Sequence, residues 1–433
     1  MRLKLRLKRI LGGLGMQWIN LTVGEYCPFV YGKAIKKQEQ YEQGIPVFGS
    51  NGVYTYSKNE LVKPYAVIIG RKGTVGKVHL SPEPCWVSDT AFYIQYDSID
   101  EARFAYYLLS TLGLEDMNTD AAVPGLNRNN AHRLEVSVPE TPEQRQALIE
   151  PLVVLDKKIE LNRQINQTLE AMAQAIFKSW FVDFDPVKAK VAVLENGGTQ
   201  AEAELAAMEV ISGKTVQELE AMQAQHPDQY QQLQQTASLF PDAMQHSELG
   251  EIPIGWEVKF LKDVCSIAYG KNLPTNKLNE FGYPVFGGNG VIGFFDKFLY
   301  QEPMTLVACR GAASGKVLRS LPFSFVTNNS LVINHSEKGC LTQNFVENSL
   351  KLAGLENYTT GSAQPQMTIA NMDAVQILNP SHDVIKSYEL ITEPLLKLVL
   401  QNNQEGKTLS ELRDTLLPKL LSGELQISTE DAA

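Results

Sequence analysis

Twice in this 433-residue chain an arginine and a lysine stand six residues apart in a glycine-bearing turn, in GRKGTVGKV (70–78) and CRGAASGKV (309–317). The residues concerned are Arg71, Lys72 and Lys77 in the first copy and Arg310, Lys316 and the nearby Arg319 in the second. An arginine fork can read the edge of a guanine, and a lysine or a backbone N–H can hold phosphate. Asn51 and Asn289, each in an Asn-Gly pair, add an amide that could face the same ligand. A nucleotide-binding phosphate loop is excluded, because it needs four residues between its glycines and Ser or Thr after the lysine. Here Val78 and Val317 follow the lysines, and Gly70 is one residue too far from Gly76. The competing reading is a solvated surface turn, but the same two charges in both copies favour contact with DNA.

Other chemistry is poorly supported. Pro241-Asp242 followed by Glu257-Val258-Lys259 fits the loose spacing of metal-dependent nucleases. That pattern is short, Asp242 lies in a glutamine-rich stretch, and the first copy has Ile19 and Asn20 at the equivalent place. No Asn-Pro-Pro-aromatic methyltransferase motif occurs, since Ser381 follows Asn379-Pro380, and the six histidines do not cluster. Five cysteines (Cys27, Cys85, Cys265, Cys309, Cys340) lie far apart without a CxxC pair, which suits a reducing cytoplasm better than a zinc site or a disulfide framework. No metal ligand set and no catalytic constellation is expected. A net charge of −10 means that any DNA-facing surface is a local patch or is completed by partners.

The elements that must position these turns are two long helices. From Thr141, Pro142 and Glu143, a threonine cap, first-turn proline and early acid predict a helix start. Behind them Leu155, Ile159, Asn162, Leu169, Met172 and Ile176 form an apolar seam with one asparagine in it. At an offset of 240 the seam recurs as Leu395, Val399, Asn402, Leu409, Leu412 and Leu416. A repeated polar residue in an apolar seam fixes register, so the two helices are expected to pack as an antiparallel coiled coil with Asn162 near Asn402. Pro151 is expected to bend the first turns of the earlier helix.

The rest of the chain is also written twice. Trp18, Cys27, Tyr31, Gly32 and Lys33 recur as Trp256, Cys265, Tyr269, Gly270 and Lys271, and IPVFGSNGVY (45–54) recurs as YPVFGGNGVI (283–292). Strands flank each Asn-Gly turn and each basic turn, so the predicted class is α+β, with two pseudo-symmetric β-rich domains each followed by a long helix. The expected boundaries are a basic extension at 1–10, a first β-rich domain at 11–140, a central helix at 141–184 and a solvated helical linker at 185–250. A second β-rich domain at 251–380, a C-terminal long helix at 381–425 and a tail at 426–433 follow. No run approaches eighteen apolar residues, so no membrane span is expected.

This arrangement resembles the specificity subunit of type I restriction-modification systems. The likeness is strongest in NQTLEAMAQAIFKSWFVDFDPVKAK (166–190) and TLSELRDTLLPKLLSGEL (408–425). It extends to LGEIPIGWEV (249–258) and the PVFGSNG and PVFGGNG loops, and covers nearly all of the chain after residue 10. Pro151 and the first ten residues depart from the pattern. The resemblance implies that the β-rich parts are target recognition domains, each reading half of a split, asymmetric DNA site. It implies that the helices space the half-sites and dock two methyltransferase subunits, with motor-nuclease subunits added for restriction. S-adenosylmethionine, ATP and Mg²⁺ would then belong to the partner subunits, and this chain would be non-catalytic. Two other readings stay open at this point: a stand-alone DNA nuclease or methyltransferase, and a coiled-coil scaffold that does not touch DNA.

Overall fold

The structure is a computed structural model that describes residues 17–118, 125–335, 341–361 and 365–425. The basic extension at 1–10 and the tail at 426–433 lie outside those residues. The chain divides into two units, one made of residues 1–164 and 402–433 and the other of 165–401.

In the first unit, β1 (Trp18–Thr22) leads into a one-turn helix α1 (Val23–Tyr26) through a Thr22/Glu25 capping box. There follow β2 (Val30–Tyr31), β3 (Ile45–Gly49), β4 (Gly52–Ser57), β5 (Ala66–Gly70), β6 (Val78–Ser81), β7 (Trp86–Val87) and β8 (Ala91–Gln95). The Asn-Gly turn closes the β3–β4 hairpin as expected, with Gly49 paired to Gly52. Helices α2 (Ile99–Ser110) and α3 (Arg128–His132) precede β9 (Glu135–Pro139), which returns to pair with β1. The strands form a four-stranded sheet β2-β8-β5-β6, a three-stranded sheet β4-β3-β7 and the β1-β9 pair. Then α4 (Pro142–Phe181) runs for 40 residues, passes through Pro151, and is capped by the Thr141 hydroxyl accepting from Gln144 N.

The second unit departs from the sequence reading between the repeats. Residues expected to be a solvated helical linker are helical, but they pack together as α5 (Asp185–Glu195), α6 (Gln200–Ser212), α7 (Val216–Gln225) and α8 (Pro227–Ser238). Thr199 and Thr215 each begin a helix with a capping box, and Ala207, Met208, Leu219 and Ala237 make a small core. Lys190, 1% exposed, donates Nζ to Phe240 O at 2.7 Å. Ala207 and Ala237 supply narrow faces that let the helices approach closely, while Gln231, Gln232, Gln234 and Gln235 stay exposed.

Beyond a hairpin of β10 (Met244–Ser247) and β11 (Gly250–Pro253), the first unit's plan recurs. Its elements are β12 (Glu257–Phe260), α9 (Leu261–Val264), β13 (Ser266–Tyr269), β14 (Tyr283–Gly287), β15 (Gly290–Phe295), β16 (Thr305–Ala308), β17 (Val317–Arg319), β18 (Phe325–Val326) and β19 (Ser330–Asn334). After α10 (Gln343–Leu352) and α11 (Ile369–Asp373), β20 (Gln376–Asn379) pairs with β12, and α12 (His382–Leu421) spans another 40 residues. The sheets β13-β19-β16-β17 and β15-β14-β18 repeat the earlier strand order. The duplication read from the sequence is therefore a duplication of topology.

Both long helices are built into cores. In the first unit, Leu148, Ile149, Leu152 and Val153 of α4 and Leu420 and Leu421 of α12 join one cluster with Phe92 and Phe104. In the second, Phe177, Trp180 and Phe181 of α4 and Val384, Ile385 and Tyr388 of α12 join another with Trp256 and Phe345. Fully burying one such side chain contributes about 1.5–3 kcal/mol, so these anchors dominate the local energetics.

Within the first unit α4 and α12 run antiparallel. Asp156 accepts from Arg413 Nη1 at 2.8 Å, whereas Asn162, further along α4, donates Nδ2 to Glu405 Oε2 at 2.7 Å. In the second unit Asn166 donates to Val399 O at 3.4 Å. Ile159 and Val399 are buried, and Leu155, Leu169, Ile176, Leu395, Asn402, Leu409, Leu412 and Leu416 are half-buried. Met172 is a correction: it is 48% exposed, and its neighbour Ala173 is buried instead. The seam itself keeps a regular alternation of three- and four-residue steps through Ile159, Asn162, Asn166, Leu169, Ala173 and Ile176, and Met172 lies one position off it. Asn166, which the periodicity passed over, is a second buried amide in it.

Polar clamps hold the short helices to the long ones. Arg145 Nε donates to both Glu101 oxygens at 3.0 Å and its Nη1 to Pro139 O at 2.8 Å. Tyr107 Oη donates to Asp156 Oδ2 at 2.5 Å. In the second unit Asn344 donates to Glu389 at 2.7 Å, and Arg319 Nε donates to Glu347 Oε2 at 2.5 Å. Lys351 completes that cluster, 2.8 Å from Glu347. Burial by itself would raise the Glu347 pKa, but Arg319 and Lys351 outweigh it and hold the carboxyl below its ordinary value.

Two outcomes are expected from this packing. Asn162 is 2% exposed and its Oδ1 has no hydrogen-bond partner, so Asn162→Leu should raise the thermal midpoint, with a gain on the order of 1 kcal/mol. A lowered midpoint would show that the Glu405 bond outweighs the orphaned oxygen. A depressed carboxyl stabilises in full above its unfolded pKa, and the contribution is lost as pH falls through the folded value. The wild type should therefore lose stability below about pH 4.5 more steeply than Arg319→Gln, read as thermal midpoint against pH. Parallel curves would rule the ion pair out as the cause.

Candidate nucleic-acid interface

The first basic turn is fastened from three sides by its backbone. Arg71 N and Lys72 N donate to Thr90 O at 2.9 and 3.0 Å, and Leu126 N donates to Arg71 O at 2.9 Å. Gly76 has a φ of +72°, and a Cβ there would lie 2.2 Å from the Leu114 backbone, so only glycine closes the turn. Gly315 takes the same left-handed conformation in the second copy, at φ +89°. The backbone is thus fixed while Lys72 and Lys77 stay exposed.

Both copies make one further identical contact. Lys77 Nζ donates to Asn51 Oδ1 at 2.9 Å, and Lys316 Nζ donates to Asn289 Oδ1 at 2.6 Å. The four residues proposed from sequence on separate motifs are therefore brought together in pairs, each pair exposed. The lysine uses one N–H on the amide oxygen and keeps two, and the asparagine keeps its amide donors. Such a pair can face phosphate or a base edge.

Arg71 lies deeper than the lysines. Its Nη1 donates to Asp89 O at 3.1 Å, and its guanidinium lies over the Tyr31 ring, 4.9 Å from the centroid. Arg128 lies over the same ring at 4.8 Å. Tyr31 is 45% exposed and packs edge-on against Phe92 at 5.0 Å. Next to it, Gly32 permits close approach to the Ser88 carbonyl, where a Cβ would stand 2.1 Å from the oxygen, and Lys33 is exposed. Tyr31, Lys33 and Arg128 were not singled out as contacts from sequence. The recurrence of Tyr31-Gly32-Lys33 as Tyr269-Gly270-Lys271 was the available signal, and it marks the strand that supports the turn.

In the second domain Arg310 is exposed at the start of its turn, fastened by Gly311 N donating to Pro365 O and by Met367 N donating to Cys309 O. Arg319 is a correction. Its guanidinium is committed to Glu347 and to the Asn344 amide oxygen, so it is a structural cation of the second unit and not a DNA contact. Its place on β17 turns it towards α10 and away from the turn's tip.

Among the described residues no three His, Cys, Asp or Glu side chains converge as metal ligands, and Glu257 pairs with Lys259 at 2.9 Å. Cys27, Cys85 and Cys309 are buried free thiols, Cys265 is buried too, and burial pushes Cys85 up to about 11. Among the described residues no helix is long and apolar enough to cross a membrane.

Comparison with known proteins matches these two repeats. The family model described as the type I restriction modification DNA specificity domain matches residues 16–171 and 253–385, one copy on each repeat, and skips the helical insertion. The type I restriction enzyme HindI specificity subunit of Haemophilus influenzae is 34% identical over 331 residues, covering 70% of this chain and 71% of its own. The MjaIX specificity subunit of Methanocaldococcus jannaschii is 22% identical over 351 residues, 75% of this chain and 69% of that one. The crystal structure of a type I restriction-modification S subunit from M. genitalium shares the fold, with a TM-score of 0.55 at 16% identity over 94% of this chain and 97% of that one. With two copies of the specificity domain and a relative of this identity and coverage, the chain belongs to the specificity subunits of type I restriction-modification systems.

Proposed function

We propose that this chain is the non-catalytic DNA-recognition subunit of a type I restriction-modification complex, and that it reads an asymmetric site in two halves, one per β-rich domain. The observation that carries the reading is the repeated exposed pair, Lys77 with Asn51 and Lys316 with Asn289, on two copies of the family's specificity domain. Shared contacts of this kind suit the sequence-independent part of binding, and the residues that differ between the domains suit base discrimination. Arg71 and Arg310 head the list of base readers, and Lys72 next to Arg71 suits a phosphate.

The long helices set the gap between half-sites in this reading. Forty residues of helix are roughly 60 Å, enough to separate two grooves on one side of a duplex. Their outer faces, where Val154, Leu161, Met172, Leu390 and Leu398 are exposed, suit docking of two methyltransferase subunits. Motor-nuclease subunits would join that assembly for restriction. S-adenosylmethionine, ATP and Mg²⁺ would be used by those partners, in the cytoplasm where the target DNA lies. A nuclease or methyltransferase acting alone has no support in the side-chain geometry of the described residues, and a scaffold without DNA contact does not explain why the basic pair is kept twice.

Arg71→Ala in the assembled methyltransferase should relax or abolish recognition of one half-site and leave the other readable. A base-reading arginine is worth about 1–3 kcal/mol of discrimination, whereas a phosphate lysine such as Lys72 mainly changes the salt dependence. Binding to duplexes altered in one half, across a salt series, checks this; equal affinity for both duplexes in wild type and variant would remove Arg71 from the interface. Inserting four residues into each long helix, between Leu155 and Leu169 and at the facing stretch of α12, should add about 6 Å of helix. Methylation mapping should then show the same two end sequences with a wider gap, and an unchanged gap would mean that the helices are not the ruler.

A further inference from the structure

We propose that Arg128, held with Arg71 against Tyr31, is a second base-reading residue of the first domain, and that its target is a guanine in that domain's half-site. The inference rests on the reading of this surface as a DNA interface and adds to it a residue and a base.

Arg128 is positioned by the fold from both sides. Asn127 caps α3, accepting from Asn129 N and Asn130 N at 2.9 and 3.2 Å. One turn later His132, on the same face of the helix as Arg128, accepts from Phe29 N through Nε2 at 2.9 Å. Burial and the neighbouring Arg128 charge both lower the His132 pKa, which keeps the ring neutral and able to accept. Phe29 lies two residues before Tyr31, and Leu126 is bonded to Arg71, so the same few contacts fix ring and both cations.

Two guanidinium groups share one exposed ring, yet neither forms a salt bridge among the described residues. The Arg128 Nε is enclosed without an acceptor, so packing and not an ion pair holds the side chain. A cation over a ring uses its π-face there and keeps its in-plane N–H groups for an acceptor. Two like charges kept side by side favour a ligand rich in acceptors. The guanine edge, with O6 and N7, matches the fork of an arginine.

The choice of base over phosphate comes from the second domain. Phosphate contacts are independent of sequence, and the lysine–asparagine pair that suits them is present in both copies. Arg128 is not repeated. Cap for cap, Asn127 corresponds to Thr368, which puts Ile369 where Arg128 stands. Among the described residues no cation lies over Tyr269, the counterpart of Tyr31. A cation found in only one of two otherwise matched surfaces is suited to making their half-sites different.

The test is methylation mapping in cells carrying the complete system with Arg128→Gln, Arg128→Lys or Arg71→Ala, followed by binding of the purified complexes to duplexes changed at each position of the site. Arg128→Gln should reduce discrimination at one G·C pair of the first half-site by about tenfold or more, with the second half-site unchanged. Arg128→Lys should fail in the same way, because it keeps the charge and loses the fork. The inference is overturned if Arg128→Lys behaves as wild type, or if both variants weaken binding to every sequence alike with a shallower salt dependence. Undisturbed reading of the second half-site excludes general unfolding. If Arg71→Ala also leaves the first half-site intact, the interface itself is misplaced; if Arg71→Ala relaxes it and Arg128→Gln does not, only the role given to Arg128 fails.

Discussion

The structure depends on one constraint: each long helix must begin in one hydrophobic core and end in another. Leu148, Ile149, Leu152 and Val153 commit the start of α4 to the first unit's core, and Phe177, Trp180 and Phe181 commit its end to the second's. In α12 the order is reversed, with Val384, Ile385 and Tyr388 in the second core and Leu420 and Leu421 in the first. Neither domain closes its core without residues from a helix that also serves the other. A duplicated chain of domain, helix, domain, helix satisfies this condition, and one copy would leave the aromatic end of its helix exposed to water.

Between those anchors the seam is weakly apolar, and its polar residues carry the specificity of pairing. Asn162 to Glu405 and Asp156 to Arg413 each lie within the first unit, and Asn166 to Val399 O lies within the second. Such contacts add little net stability compared with a leucine in the same place, but each is satisfied in one register only.

The two domains divide scaffold from reader. What recurs is what the backbone requires: left-handed glycines at Gly76 and Gly315, close-approach glycines at Gly32 and Gly270, and the lysine–asparagine pairs that tie two turns together. What differs lies on the same surfaces, where Arg128 faces Tyr31 in one copy and Ile369 occupies the matching helix position in the other. The helical insertion at α5 to α8 belongs to neither class. It has its own small core and buried Lys190 and falls outside the two segments matched by the family model.

Local signals in the sequence were enough for the repeat, for the class of fold, and for the start of α4, whose end was read at 184 and falls at Phe181. A Thr141 cap, a forty-residue apolar period and Asn-Gly turns act on neighbouring residues, so their outcome does not wait on tertiary context. The lysine–asparagine pairs were legible as candidates because both members sit in repeated motifs. Arg319 was not legible as a structural cation, because Glu347 and Asn344 reach it from a helix later in the chain. Met172 was read as a seam residue but faces solvent, since the seven-residue repeat that passes through Asn166 puts Ala173 on the seam instead. Arg71, Tyr31 and Arg128 come from three separated segments, and only sheet pairing and the His132 anchor place them on one ring. Spacing along a chain determines what one helix or one turn will do; which side chains meet across elements is decided by packing, because that choice depends on every other contact in the core.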